Sequence, residues 1–85
     1  MIDHPGIILK REYMKNMSAN KLATMLRVPQ NRISLIIAGE RSISSDTAKR
    51  LALFFGNEPI DWLIMQAKYD LSKTPDPKVR KAGAK

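Results

Sequence analysis

The stretch from Leu22 to Ile36, LATMLRVPQNRISLI, constrains the fold more than any other part of the chain. Its apolar residues recur at helical spacing in two groups, first Leu22, Ala23 and Leu26, then Ile33 and Ile36. Val28 and Pro29 interrupt the pattern, because proline disfavours continuation of the preceding helix. Two short helices on either side of a tight break predict a helix-turn-helix, and the small Ala23 suits their closest approach.

Polar side chains with no core to face lie between the apolar positions of the second helix. Short side chains with several donors and acceptors, together with a forked cation, are suited to a DNA major groove. We assign to Gln30 an adenine contact, or a phosphate contact if it lies at the groove edge. Asn31 is assigned an adenine contact, Arg32 a guanine contact and Leu35 a contact with a thymine methyl. The predicted base-reading residues are Gln30, Asn31, Arg32, Ser34 and Leu35. This pattern indicates a sequence-specific DNA-binding protein.

Phosphate contacts fix the register of such a motif on its duplex. We expect them near the start of the first motif helix, where free backbone N–H groups point outward, and just after the second. The predicted phosphate-binding residues are Ser18, Asn20, Lys21, Arg27, Arg41 and Ser42.

Arg27 breaks a local rule, because the first turn position usually needs a positive φ and therefore glycine. Two alternatives follow. Either Arg27 accepts left-handed strain of about 1 kcal/mol, or the turn has another shape. An added phosphate contact would explain an arginine there.

Charge separates along the chain, whose net charge is +7. Residues 10–41 contain seven basic and two acidic residues, a balance of +5, whereas residues 42–71 contain three basic and four acidic residues, a balance of −1. The positive charge therefore accompanies the helix-turn-helix, as expected for a phosphate-facing surface.

Composition argues against several other classes of protein. There is no cysteine and one histidine, His4, with no carboxylate pair beside it, so we predict no catalytic residue, metal site or cofactor. No apolar run approaches the ~20 residues of a membrane span, and no secretory signal is visible at the N-terminus. We expect a cytoplasmic protein without a membrane partner.

Capping residues divide the chain into five helices in an all-α domain. The predicted helices are Pro5–Lys15, capped by Asp3 or His4; Ala19–Leu26, capped by Ser18; Gln30–Ala38, ended by Gly39; a fourth, capped by Ser44 or Ser45 and ended by Gly56; and a fifth from Asn57-Glu58-Pro59 to about Asp70. The buried stripe of the fourth is predicted to be Ala48, Leu51, Ala52 and Phe55.

The fifth helix is apolar on two faces. We assign its core face to Ile60, Leu63, Ile64, Ala67 and Leu71, and a surplus face to Trp62, Met65 and Tyr69. A terminal helix of a small domain buries one face in its own core, so the surplus predicts a homodimer interface. The alternative is a helix sunk more deeply than usual.

The remaining residues, SKTPDPKVRKAGAK from Ser72, combine two prolines with five cations and almost nothing to bury. We expect a domain over residues 1–71 and a basic, disordered tail over residues 72–85.

Several segments together resemble the HigA/VapI-type antitoxins of bacterial toxin–antitoxin modules. The most specific are His4-Pro5-Gly6, the stretch Val28–Gly39, the run around Asp46-Thr47-Ala48 and Arg50-Leu51-Ala52, and the end from Trp62-Leu63 to Tyr69-Asp70-Leu71. The resemblance covers nearly everything from His4 to Leu71. It implies a dimeric lambda-repressor-like domain that binds its own operator, an inverted repeat, and a cognate mRNA-cleaving toxin.

Two departures from that pattern concern the turn and the first helix. Arg27 replaces a glycine common in the family, and the connection from Met14 to Ser18 is about two residues short. Two other functions remain open: an interaction module whose DNA binding is secondary, and a stand-alone helix-turn-helix repressor with no toxin.

Overall fold

The computed structural model describes residues 1–83, which form helices and loops with no strand. The helices are α1 (Pro5–Ile8), which continues into a π-helical turn (Leu9–Tyr13), α2 (Ala19–Leu26), α3 (Gln30–Ile37), α4 (Ser45–Phe55) and α5 (Pro59–Lys73). The all-α prediction is confirmed. The predicted bounds of α2 are confirmed, and α3 ends one residue before the predicted Ala38.

Side-chain caps begin three of the helices. The Nδ1 atom of His4 accepts from the Gly6 amide at 2.9 Å, and the hydroxyls of Ser18 and Ser44 accept from the amides three residues ahead. Each cap satisfies a backbone donor that the helix itself leaves free. Of Asp3 and His4, it is therefore His4 that caps the first helix, and of Ser44 and Ser45, it is Ser44 that caps α4.

The first helix differs from the prediction in its second half. It ends at Tyr13, and its last turn is wider than an α-helical turn. The Met14 amide donates at 3.1 Å to the carbonyl of Leu9, which lies five residues back and not four. This wider turn lets both Leu9 and Met14 reach the core, where they are buried. A π-helical turn thus adjusts the short connection before Ser18.

Gly6 brings α1 against α3. A Cβ atom at Gly6 would overlap the carbonyl oxygen of Ile36, so only glycine allows this approach. The contact packs the start of α1 against the C-terminal half of α3 and so fixes the position of α3 relative to α1.

One core joins all five helices. Its buried apolar residues are Leu9, Met14, Leu22, Ala23, Leu26, Ile33, Ile36, Ile43, Ala48, Leu51, Ala52 and Trp62. The predicted buried stripes of α2, α3 and α4 are confirmed, with Phe55 half-buried.

The two faces of α5 are largely exchanged relative to the prediction, because Leu63 is the one predicted core residue of this helix that packs against the core. Trp62 is fully buried within its own protomer, so its assignment to an outward dimer face is wrong. Met65 packs against the same core. The rings of Tyr69 and His4 pack edge-on, with their centroids 4.9 Å apart. The residues exposed instead are Ile60 (56%), Ile64 (44%) and Leu71 (74%).

Hydrogen bonds to polar side chains fix the rotation of α5. Nε1 of Trp62 donates to Oδ1 of Asn57 at 3.0 Å, and Oε1 of the buried Gln66 accepts from the Ile43 amide at 2.9 Å. The helix carries apolar residues on two faces, so hydrophobicity alone does not select its inward face. The buried indole N–H and carboxamide need partners, and their partners lie on one side.

Helix α5 continues to Lys73, so Ser72 and Lys73, predicted as the start of the tail, are helical. Residues 74–80 form no helix or strand. The division at residue 71 stays a prediction, and the last two residues of the predicted tail, 84 and 85, lie outside the described residues. Within residues 1–83 no helix is long and apolar enough to span a bilayer.

Candidate nucleic-acid interface

The turn between α2 and α3 is left-handed at Arg27. This residue has φ 60° and ψ 47°, and it is the single non-glycine residue of the described chain with a positive φ. The Arg27 amide donates to the Thr24 carbonyl at 3.2 Å, and the Val28 amide donates to the Ala23 carbonyl at 3.0 Å. This pair of bonds is a Schellman motif, which ends α2 and redirects the chain. Of the two alternatives for Arg27, the strained left-handed conformation is therefore the observed one.

Helix α3 presents one face to the core and the opposite face to solvent. Ile33 and Ile36 are fully buried. Gln30 and Asn31 are exposed, and Ser34 and Leu35, one turn further along, are half-buried. Residues four apart share a helix face, so these four side chains form a single outward surface. We call it the reading face.

Ala38 completes the reading face and was not among the predicted residues. It is exposed and lies four residues beyond Ser34 and eight beyond Gln30. The spacing that placed Gln30 and Ser34 together also pointed to Ala38. Its small apolar side chain drew no attention because it carries no hydrogen-bonding group.

Arg32 lies at the edge of the reading face, next to α4. Its guanidinium lies 3.0 Å from a carboxylate oxygen of Asp46 in α4, and its side chain is 25% exposed. The same Asp46 oxygen accepts from Nε of Arg50 at 2.9 Å. Nη1 of Arg50 donates to the Leu26 carbonyl, at the end of α2, at 2.8 Å.

This cluster, Arg32, Asp46 and Arg50, carries a net charge of +1 beside the turn. The hydrogen bond from Arg50, assisted by Arg32, holds the pKa of Asp46 below its ordinary value. Asp46 is therefore ionised at neutral pH and attracts both arginines.

The predicted phosphate-binding residues precede and follow the reading face in the sequence. All six are exposed: Ser18, Asn20, Lys21, Arg27, Arg41 and Ser42. The Ser18 hydroxyl accepts from the Lys21 amide at 3.0 Å, so one of its acceptor positions serves α2 itself. Lys10 in the first helix and Lys15 in the connection to α2 are also exposed, and no phosphate contact was assigned to either.

The chain is similar to known proteins over most of its length. The helix-turn-helix family matches residues 7–63. Virulence-associated protein I of Dichelobacter nodosus is 49% identical over 70 residues, which cover 80% of this chain and 65% of that protein. The chain thus spans slightly less than two thirds of this relative.

The solved structures that share the fold include two antitoxin-family proteins. An addiction module antidote protein of the HigA family from Coxiella burnetii is 50% identical, with a TM-score of 0.79 over 84% of this chain and 80% of that one. Pseudomonas aeruginosa antitoxin HigA, solved with the higBA promoter, is 32% identical, with a TM-score of 0.83 over 85% of this chain and 80% of that one.

Proposed function

Because the chain belongs to the helix-turn-helix family, we propose that it is a DNA-binding antitoxin. In this role it represses its own operon from an operator in the cytoplasm and neutralises a cognate mRNA-cleaving toxin. The observation that carries the proposal is the outward reading face of α3, polar at its start and backed by a buried apolar stripe. A related antitoxin of the same fold was solved with promoter DNA.

The reading face enters the major groove, where Gln30 and Asn31 address base edges. Both side chains are exposed and sit in the first turn of α3, the part of a recognition helix that reaches deepest. Leu35, one turn on, packs on a thymine methyl. Lys21, Arg27 and Arg41 contact phosphates, so the affinity falls steeply as salt is raised.

The double variant Gln30→Ala/Asn31→Ala tests whether α3 contacts the bases. Neither side chain is buried, so the fold survives, while each lost bidentate contact costs about 1–3 kcal/mol of discrimination. A duplex selected by the wild-type protein from a random pool serves as the operator in a binding titration. The control, Asp61→Ala/Lys68→Ala on α5, leaves the net charge unchanged. Unaltered operator affinity in the Gln30/Asn31 variant would mean that α3 is not the reader.

The proposed homodimer uses the exposed stripe of α5. Ile60, Ile64, Ala67 and Leu71 are spaced by four, three and four residues, the spacing of a coiled-coil seam. All four are exposed in the protomer. A second copy packed on this seam forms a two-fold dimer, which presents two reading faces about 34 Å apart to an inverted repeat.

Ile64→Asp tests the seam, because a buried, unpaired carboxylate at the two-fold contact is unfavourable. We expect a folded monomer by light scattering and circular dichroism. Leu53→Asp is the matched control, since Leu53 is 86% exposed on α4. A monomer from Leu53→Asp together with a dimer from Ile64→Asp would move the interface to α4.

A growth assay separates the antitoxin from the stand-alone repressor. Reading frames adjacent to the gene are expressed alone and then with the chain. Rescue of growth by both the wild type and the Gln30/Asn31 variant supports neutralisation through a surface other than the reading face. Operator binding with no toxic neighbour supports the stand-alone repressor, and loss of rescue in the folded variant would mean that the two sites overlap.

A further inference from the structure

Arg32 is held by a network that touches each element of the helix-turn-helix. Its partner Asp46 lies in the first turn of α4, and Asp46 also holds Arg50. Arg50 in turn donates to the Leu26 carbonyl, the last residue of α2 before the left-handed turn. One carboxylate therefore connects the end of α2, the start of α3 and the start of α4.

The position of Arg32 on α3 favours this network over the groove. It lies about 200° around the helix from Gln30 and about 60° from Leu35, at the edge of the reading face next to α4. Its guanidinium is directed to Asp46 at 3.0 Å, and three quarters of its side chain is removed from solvent. This bond uses Nη1 alone, so a guanine contact would have to come from the remaining guanidinium N–H groups while the side chain stays tethered to α4.

From this geometry we infer that Arg32 is a positioning residue: the Arg32–Asp46–Arg50 network orients α3 for base reading, and Arg32 does not itself read a base. The inference rests on the proposed DNA binding of the reading face. Base contacts require side chains held within about 0.5 Å of the productive geometry, and the turn before α3 contains a strained residue. A tie from the first turn of α3 to α4, and from α4 to the end of α2, restrains the rotation of the recognition helix.

The network also explains why an acidic residue lies beside a DNA-binding surface. Asp46 repels phosphate, which is unfavourable unless its charge is neutralised. Arg32 and Arg50 both neutralise it, at 3.0 Å and 2.9 Å. The two arginines thus allow the carboxylate to act as a structural link without opposing the duplex.

The test is a double-mutant cycle of Arg32→Ala, Asp46→Asn and the combination. The measured quantity is the ratio of affinities for a duplex selected by the wild type and for a scrambled duplex of the same length. Each single variant should lower this ratio about threefold to tenfold, within the range of coupled contacts, and the double variant should be no worse than either. Arg32→Lys, which can still pair with Asp46, should stay near the wild type.

Single base-pair changes in the selected duplex give the second readout. A positioning role weakens discrimination at several positions at once. If Arg32→Ala loses discrimination at one base pair and Asp46→Asn keeps full operator affinity, Arg32 reads a base and the inference is overturned. Additive losses in the cycle would also overturn it.

Two controls separate failure of this inference from failure of the proposed function. Lys49→Ala removes one positive charge from α4 at an exposed position outside the network and should leave the ratio unchanged. If the wild type does not prefer its selected duplex, the proposed function fails. If it does prefer the duplex, and Gln30→Ala/Asn31→Ala abolishes the preference while the cycle shows no coupling, the positioning role alone fails. Thermal melting of every variant confirms that a folded protein is compared.

Discussion

Replacing Arg27 by glycine should move stability and DNA binding in opposite directions. Arg27 occupies the left-handed region, with φ 60°, at the end of α2. That conformation costs an L-residue roughly 1–2 kcal/mol, and glycine avoids this cost. Glycine also lowers the free energy of unfolding by about 0.5–1 kcal/mol, because it gives the unfolded chain greater conformational freedom. The expected net gain therefore lies between about 0 and about 1.5 kcal/mol, and at its midpoint of about 0.75 kcal/mol Tm rises by about 3–6 °C, because a domain of this size gains about 4–8 °C per kcal/mol.

The same substitution removes an exposed cation from the turn before α3. If Arg27 contacts a phosphate, the slope of log affinity against log salt becomes shallower by about 1 per protomer, or about 2 for a dimer. Operator and scrambled duplexes should weaken equally, because a phosphate contact carries no sequence information.

Arg27→Ala is the matched control. Alanine removes the charge but keeps the Cβ atom, so it should reproduce the shallower salt slope without the gain in Tm. Differential scanning calorimetry and titrations between 50 and roughly 300 mM salt measure both effects. Equal melting temperatures for Arg27→Gly and Arg27→Ala would refute the strain argument, and an unchanged slope in both would remove Arg27 from the phosphate-binding residues.

Three further predictions concern the framework around the site. Gly6→Ala should destabilise the fold by about 1–3 kcal/mol, because the added methyl meets the Ile36 carbonyl oxygen; chemical denaturation measures this, and a neutral result would mean that α1 moves without cost. Ser44→Ala should cost about 1 kcal/mol through loss of the α4 cap, and retention of wild-type Tm would contradict the role of the cap. Burial lowers the pKa of His4 despite the nearby Asp70, so the folded state binds a proton less readily than the unfolded state. The contribution of His4 to the free energy of unfolding should therefore be complete above the unfolded pKa of about 6.5 and should fall as the pH drops below it. Denaturation measured on both sides of this pKa should show the decline, and the decline should be smaller in His4→Asn.

Local patterns in the sequence predict the framework of the site well. The helix caps, the break at Pro29 and the apolar spacing of α2, α3 and α4 depend on residues within a few positions of one another. Their physical causes are correspondingly short in range: a hydroxyl that accepts from an amide three residues ahead, or a stripe that recurs every three to four residues. The same spacing places Gln30, Asn31, Ser34 and Leu35 on a common face, and the structure leaves that face in solvent.

Contacts between distant parts of the chain decide the remaining features. Arg32 looks like a base reader in isolation, and only its approach to Asp46, fourteen residues away, makes it part of a network. The inward face of α5 depends on Gln66 meeting the Ile43 amide, twenty-three residues away. The presence of two apolar faces leaves the rotation of α5 undetermined by its own sequence. Buried polar groups that need partners select one rotation, and those partners come together only in the tertiary structure.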